Sequence, residues 1–173
     1  SLPFFATEGM MFSAAILSIL LAHEFGHYFA ARSYGMSATP PFFIPVPFGV
    51  GTMGAIIRIR TPMLHRRSLL DVGAAGPIAG LVVAITVLAL GFHFAPYVPA
   101  GDIAPDAFRA RLGDSILSAS MQWLIKAPRP AGYILAAHPF RLAGWFGLIV
   151  TALNLLPDLD SGEPQSAVPR RLL

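Results

Sequence analysis

Three long apolar runs dominate the chain, and polar or proline-rich stretches separate them. The first run extends from about Gly9 to Ala31 and ends at Arg32, with Gly35 expected to stop the helix. At helical rise it spans about 34 Å, enough to cross a bilayer core of about 30 Å. The second run extends from Ser68 to Phe92, and the third, residues 140–156, is near the short end of the crossing range. The pattern therefore predicts three membrane-spanning helices.

The segment between the first two runs breaks the helical pattern. Residues 40–47 contain four prolines, so we expect a loop there that rests against the protein or dips into the membrane. In AIIRIR, residues 55–60, apolar and basic side chains alternate with a period of two, which predicts a short strand. The spacing of Ser68 and Asp71 resembles a capping box and predicts that the second helix begins at Ser68.

Two further features complete the predicted fold. Gly76 and Gly80 lie four residues apart in the second run and form a small-residue surface suited to close helix packing in lipid. Between Pro105 and Lys126, apolar residues recur at helical spacing, which predicts an amphipathic helix at the membrane interface. We therefore expect an all-α polytopic membrane protein of about three transmembrane helices. A short β-strand or hairpin is inserted between the first two helices, and the amphipathic helix precedes the third.

Composition and charge agree with a membrane protein and exclude some chemistry. The chain is 55% hydrophobic and only 12% charged, whereas soluble domains carry about 25% charged residues. The net charge of +3 suits anionic lipid headgroups, but the basic residues form no cluster dense enough to predict nucleic-acid binding. Because the chain has no cysteine, a metal ion can be held only by His, Asp or Glu side chains.

A cluster of titratable groups interrupts the first apolar run at HEFGH, residues 23–27. His23 and His27 lie four residues apart, so a helix projects both imidazoles from one face, where they can bind one ion. In H-E-x-x-H sites the histidines bind zinc, and the glutamate, here Glu24, takes a proton from the metal-bound water. Three such groups are costly in lipid without a metal, since each costs about 2.5–3.5 kcal/mol at membrane depth. The motif therefore predicts one zinc ion per chain.

A tetrahedral catalytic zinc needs a third protein ligand, which must come from a distant part of this chain. No Asp or Glu lies between Glu24 and Asp71, and Asp71 is expected to cap the second helix. Three crossings would bring the C-terminal ends of the first and third helices to the same side of the membrane. Asp158 and Asp160, just past the third run, are therefore the best-placed carboxylates.

These motifs resemble those of the site-2 protease family of intramembrane zinc metalloproteases. HEFGH resembles the family's HExxH on a first core transmembrane helix, GTMGAIIRIR resembles the strand before the second core helix, and GAAGPIAG resembles the Gly-rich start of that helix. NLLP, residues 154–157, resembles the opening of the NxxPxxxLDG motif on the third core helix. The likeness covers roughly residues 9–92 and 140–160.

The resemblance implies a zinc-dependent endopeptidase that hydrolyses peptide bonds in or near transmembrane segments of membrane-anchored substrates, as in regulated intramembrane proteolysis. The zinc ligands would be His23, His27 and Asp160. Glu24 would activate water and later protonate the leaving amine, and Asn154 would hydrogen-bond the developing oxyanion or the substrate backbone. The predicted strand would either clamp unwound substrate by edge-strand addition or belong to a hairpin that covers the site.

One departure from the family pattern leaves alternatives open. Asp160 follows Asn154 by six residues and precedes Ser161, whereas the family places its aspartate eight residues after the asparagine and before Gly. Asp158 is therefore the alternative third ligand. A catalytically impaired pseudoprotease of the same fold that binds membrane partners is the alternative function, and a membrane metal transporter is a further one.

The distribution of basic residues predicts the orientation of the chain. The N-terminal flank has no basic residue, while residues 32–68 carry five arginines and no acid, which favours an outside N-terminus and a cytoplasmic first loop. We expect a multi-pass protein of a bacterial inner membrane, with the active site toward the cytoplasm and with lipid and a transmembrane substrate as partners. One membrane-embedded core is expected over residues 1–160, followed by a polar tail over residues 161–173 that is cut short relative to the family.

Overall fold

The computed structural model describes residues 2–45, 52–60, 65–99, 101, 116–126 and 130–154. These residues form four helices and four short strands, and the described part of the chain is mostly helical. In chain order the elements are α1 (Leu2–Ser33), β1 (Phe42–Pro45), β2 (Thr52–Ile56), α2 (Arg66–Phe94), β3 (Tyr97–Pro99), α3 (Ile116–Ile125), β4 (Tyr133–Leu135) and α4 (Pro139–Asn154).

Two of the three predicted spans are present as helices long and apolar enough to cross a membrane. They are α1 from Ala6 onward, and α2. The third span is not confirmed, because α4 covers only 16 described residues, about 24 Å of helix. The predicted tail over residues 161–173, and the residues that follow Asn154 in the third run, lie outside the described residues.

The C-terminus of α1 ends as predicted at Gly35, which has a left-handed φ of 70°. The amide of Met36 donates to the carbonyl of Ala31 at 3.0 Å, and the amide of Gly35 donates to the carbonyl of Arg32 at 3.0 Å. This pair of bonds is a Schellman motif. Met36 and Ala31 are also buried together against Val72 of α2, so the end of α1 is packed against the start of α2.

The start of α2 differs from the prediction. The helix begins at Arg66, with His65 as its N-cap, so Ser68 is not the cap. The Ser68 hydroxyl instead donates to the carbonyl of His65 at 2.8 Å. Asp71 accepts a hydrogen bond from the Tyr34 hydroxyl and lies 3.8 Å from Arg67, so it does not cap the helix either. The predicted box fails because the Ser68 hydroxyl bonds a carbonyl within the first turn, and Asp71 pairs with Tyr34 and Arg67.

A β-hairpin occupies the segment between α1 and α2. Strand β1 pairs antiparallel with β2, with Phe42 opposite Ile56 and an irregularity between Phe43 and Pro45. The prediction of a loop over residues 40–47 is therefore wrong for β1. Proline is compatible with a strand at its end or at a sheet edge, where its missing N–H costs no ladder bond. Closer to the helices, Ala38 and Ile59 form a further antiparallel bridge.

The region between α2 and α4 contains one feature that the sequence did not indicate. Strand β3 pairs antiparallel with β4, with Val98 opposite Ile134. The predicted amphipathic helix is present as α3, and the Lys126 side chain beyond its end donates to the carbonyl of His93 in α2 at 3.0 Å. The part of that prediction covering residues 105–115 lies outside the described residues.

Helix α2 packs between α1 and α4 and runs antiparallel to both. A buried cluster joins the three helices, formed by Ala15, Ile16, Ile19, Ala84, Val87 and Ala143. Glycines allow the close approach: a methyl group on Gly144 would lie 2.6 Å from the backbone nitrogen of Leu88. Since α1 and α4 are parallel, their C-terminal ends lie at the same end of the bundle, as the site prediction requires.

Candidate active site

The two motif histidines face each other on one side of α1. The Nε2 atoms of His23 and His27 are 3.1 Å apart, and the ring centroids are 4.9 Å apart. His23 is buried, with 7% of its surface exposed, and His27 is partly buried. The four-residue spacing predicted that the imidazoles project from one face, and the structure brings their Nε2 atoms together.

A backbone carbonyl of α2 fixes the orientation of His27. The Nδ1 atom of His27 lies 2.7 Å from the carbonyl oxygen of Val72. Because a carbonyl can only accept, Nδ1 carries the proton and donates it, which leaves a free lone pair on Nε2. Metal-binding histidines usually have this arrangement, in which the second ring nitrogen donates to a carbonyl or carboxylate. Val72 also belongs to the buried cluster at the end of α1, so its position is held by packing.

The geometry of the pair fits a zinc ion. Two nitrogen ligands at about 2.0–2.1 Å from a tetrahedral zinc lie about 3.3 Å apart, close to the observed 3.1 Å between the Nε2 atoms of His23 and His27. Among the described residues, no group of three or more His, Asp or Glu side chains could hold a metal ion. Asp160, the predicted third ligand, and Asp158, the alternative, both lie outside the described residues.

Two glycines of α2 make room for the two imidazoles. A methyl group on Gly76 would overlap the His27 ring, and one on Gly80 would lie 3.2 Å from His23 Nδ1. The glycines are four residues apart, like the histidines, and run in the opposite direction along the packed helices. Gly26, between the histidines, contributes in the same way, because a methyl group there would lie 2.9 Å from the Cα of Gly76. The small-residue surface of α2 therefore makes room for the two imidazoles and also allows α1 to pack closely against α2.

The other two predicted catalytic residues lie near the same place. Glu24 follows His23 on α1 and is partly buried. Asn154 is the last described residue of α4, and its Nδ2 lies 3.5 Å from Nε2 of His23, the outer limit of a hydrogen bond. The structure thus brings an amide from the third predicted span to the histidine pair, although 131 residues separate it from His23 in sequence.

Sequence reasoning missed two contributors to the site. The Val72 carbonyl carries no side-chain signal and could not have been found. Thr151 lies one helical turn before Asn154 and is fully buried. Its Oγ1 atom would lie 3.4 Å from a methyl group placed on Gly80. Its signal was the i, i+3 spacing of two polar residues on an apolar helix, which places both on one face.

Comparison with known proteins gives one matching family model and several similar proteins. The model of peptidase family M50 matches residues 11–160. The protein named "Probable zinc metalloprotease EGY2, chloroplastic" of Oryza sativa subsp. indica is 35% identical over 159 residues, which cover 90% of this chain and 28% of that protein. The similarly named EGY1 of Arabidopsis thaliana is 29% identical over 169 residues, which cover 92% of this chain and 29% of that protein.

These matches cover only part of each relative. The chain spans less than a third of the length of either relative. No solved structure matches the chain.

Proposed function

The chain belongs to peptidase family M50, the site-2 protease family, and from that premise we propose that it is a zinc-dependent intramembrane endopeptidase. Its substrates would be membrane-anchored proteins, cut in or near a transmembrane segment. The observation that supports this most directly is the pair of facing Nε2 atoms on α1, 3.1 Å apart. They lie in α1, which is long and apolar enough to cross a membrane, as is α2 among the other described helices.

Each residue of the motif has a separate task in the proposed reaction. His23 and His27 would hold the zinc through Nε2, with Asp160 as third ligand and Asp158 as its alternative. When bound, zinc lowers the pKa of a coordinated water to about 7 and polarises the scissile carbonyl. Glu24 would take a proton from the attacking water and later deliver it to the leaving amine.

Asn154 would stabilise the negative charge that develops on the substrate oxygen. Its amide Nδ2 lies next to His23 Nε2. Once the Nε2 lone pair of His23 binds a metal it can accept no hydrogen bond, so the amide is available to the substrate. One such donor is typically worth a factor of about 10²–10³ in kcat.

The hairpin of β1 and β2 is proposed to hold the substrate. Cleavage of a helix requires that it first unwinds, and an extended peptide can then add to a free strand edge through backbone hydrogen bonds. A two-stranded sheet has two such edges among the described strands. The alternative, a hairpin that only covers the site, predicts that proline substitutions in β2 leave the KM for cleavage unchanged.

The test compares two glutamates of α1. Purified, zinc-loaded protein is incubated in detergent with a panel of single-span substrates, alongside Glu24→Gln and the control Glu8→Gln at the opposite end of the helix. We expect one zinc per chain in all three proteins, with cleavage abolished only in Glu24→Gln. Zinc binding without cleavage in the unaltered chain would favour the pseudoprotease, and zinc flux into vesicles that Glu24→Gln leaves unchanged would favour a transporter.

We further propose that the active-site end of the bundle faces the cytoplasm in a bacterial inner membrane. The charge asymmetry of the first loop supports this orientation. Because the chain lacks cysteine, single cysteines at Ser33 and Ala6, exposed near the two ends of α1, report it directly in cells. A membrane-impermeant maleimide should label Ala6→Cys in intact spheroplasts and Ser33→Cys only after lysis. The reverse pattern would overturn the orientation.

A further inference from the structure

Thr151 is a buried polar residue for which the proposed reaction has no use. Only 2% of its surface is exposed, and the buried polar side chain nearest to its level of the three-helix core is His23, across Gly80. The helix interior offers Thr little advantage, because a β-branched side chain lowers helix propensity and a buried hydroxyl costs free energy without a partner. Valine would fill the same volume at no such cost. The hydroxyl therefore needs a reason to be there.

The neighbourhood of Thr151 supplies that reason. A methyl group on Gly80 would lie 3.4 Å from Thr151 Oγ1 and 3.2 Å from His23 Nδ1, so the two polar atoms flank the same gap beside Gly80. One turn further along α4, the amide of Asn154 lies beside the other nitrogen of the same ring, Nε2. Helix α4 thus places the amide of Asn154 next to Nε2 of His23, and the hydroxyl of Thr151 across the Gly80 gap from Nδ1.

The two histidines of the site differ in how their outer nitrogens are partnered. His27 Nδ1 has the Val72 carbonyl at 2.7 Å. Among the described residues, no such bond is made by His23 Nδ1, and Thr151 Oγ1 is the polar side-chain atom on the other side of the gap at Gly80. A metal bound at Nε2 requires the proton on Nδ1, and that proton needs an acceptor.

We propose that Thr151 is a positioning residue for the zinc site: when zinc binds at Nε2 of His23, the Thr151 hydroxyl closes onto Nδ1, accepts its hydrogen and holds the ring toward the metal. The inference rests on the proposed zinc site but not on proteolysis. Gly80 is part of the arrangement, because its missing side chain leaves the path between Nδ1 and the hydroxyl open.

The test measures zinc affinity by chelator competition, independently of cleavage. Thr151→Val removes the hydroxyl at constant volume, and Thr151→Ser keeps it. The loss of such an outer partner typically weakens metal binding about 10–100-fold, so we expect that loss in Thr151→Val and a change of less than about threefold in Thr151→Ser. The matched control is Thr86→Val on the exposed face of α2, where the hydroxyl donates to the Val82 carbonyl; it should leave affinity unchanged.

A second measurement separates positioning from folding. The unfolding temperature of the zinc-free protein should not fall in Thr151→Val, since valine packs equally well. The visible spectrum of the cobalt(II)-loaded variant should shift, because the ring orientation at the metal changes. Unaltered zinc affinity in Thr151→Val, or an equal loss in Thr151→Ser, would overturn the proposal. If the unaltered chain binds zinc but cleaves nothing, the proposed protease function fails while the role of Thr151 is still decided by these affinities.

Discussion

Gly76 of α2 lies directly against the imidazole of His27, so closely that a single methyl group on the glycine would overlap the ring. The ring cannot retreat without losing its bond from Nδ1 to the Val72 carbonyl. The position of the second histidine of the HEFGH motif is therefore set by the absence of a side chain on the neighbouring helix. Small residues on a helix surface allow close helix packing in lipid. Here the same surface also leaves the space that the two imidazoles occupy.

Gly76→Ala should weaken zinc binding while the protein stays folded. The clashing atoms belong to a side chain, which can swing away, and alanine is the better helix former by about 0.5–1 kcal/mol. Because the displaced ring loses its bond to the Val72 carbonyl, we expect zinc affinity to fall about 10–100-fold, measured by chelator competition, with little change in the unfolding temperature of the zinc-free protein. Gly73→Ala is the control, because a methyl group there meets nothing within 4 Å; equal zinc affinity in both variants would contradict the prediction.

Gly144→Ala should lower the unfolding temperature and leave zinc affinity unchanged, the reverse of the result expected for Gly76→Ala. A methyl group on Gly144 would lie 2.6 Å from the backbone nitrogen of Leu88, and a backbone cannot swing away. Overpacking of this kind costs about 1–3 kcal/mol. Thermal unfolding in detergent should show a lower midpoint for Gly144→Ala than for Gly73→Ala, with unchanged zinc affinity of the folded fraction. A midpoint equal to that of Gly73→Ala would show that α2 and α4 are not packed this closely.

The helices and the histidine pair could be predicted because their signals are local. Apolar length identifies α1 and α2, the φ preference of glycine identifies the end of α1 at Gly35, and the four-residue spacing of HEFGH places two imidazoles on one face. The family resemblance built on these motifs is confirmed by the match over residues 11–160.

The remaining features depend on which elements meet in space, and the sequence carries little information about that. Gly76 and Gly80 indicate close packing, but nothing in their spacing reveals that histidines lie opposite them. The Val72 carbonyl is chemically the same as any other. The pairing of β3 with β4 joins segments more than thirty residues apart in sequence, and the start of α2 was misplaced because Asp71 has Tyr34 as a distant partner.

Asn154→Ala should lower kcat without loss of zinc. The amide lies 3.5 Å from His23 Nε2, and in the proposed role its removal affects the developing oxyanion rather than the metal. We expect kcat to fall by a factor of about 10²–10³ with KM little changed. Leu153→Ala, at the exposed neighbouring position, should retain the kcat of the unaltered protein. A parallel loss of zinc in Asn154→Ala would instead identify Asn154 as part of the metal site.

The hydrogen bond from Tyr34 to Asp71 predicts a pH dependence at the active-site end of the bundle. This bond to the Asp71 carboxylate raises the pKa of Tyr34 above its usual value of about 10. A group whose pKa is raised on folding stabilises the fold below its unfolded pKa, and that contribution is lost as pH rises through the folded pKa. Stability should therefore decline above about pH 10 more steeply in the unaltered chain than in Tyr34→Phe.

Ultraviolet titration of the tyrosinate checks this assignment. The difference between the unaltered chain and Tyr34→Phe isolates the titration of Tyr34, and Asp71→Asn should shift that titration toward lower pH. Tyr133→Phe, an exposed tyrosine of β4, provides the comparison. A Tyr34 titration that Asp71→Asn leaves in place would mean that the hydrogen bond does not form in solution.

The apolar side of α3 should lie in the membrane interface. Its Trp123 is 84% exposed, and Ile116 and Leu124 are also exposed, although the helix is joined to the end of α2 through Lys126 and His93. Tryptophan next to the end of a span is typical of the interface, where an amphipathic ring meets both lipid and water. In vesicles, Trp145→Phe leaves Trp123 as the sole tryptophan, and we expect its fluorescence to be quenched most by lipids brominated close to the headgroup. If acrylamide in the aqueous phase quenches Trp123 and no brominated lipid does, α3 lies in water. If neither quencher reaches Trp123, α3 is covered by protein.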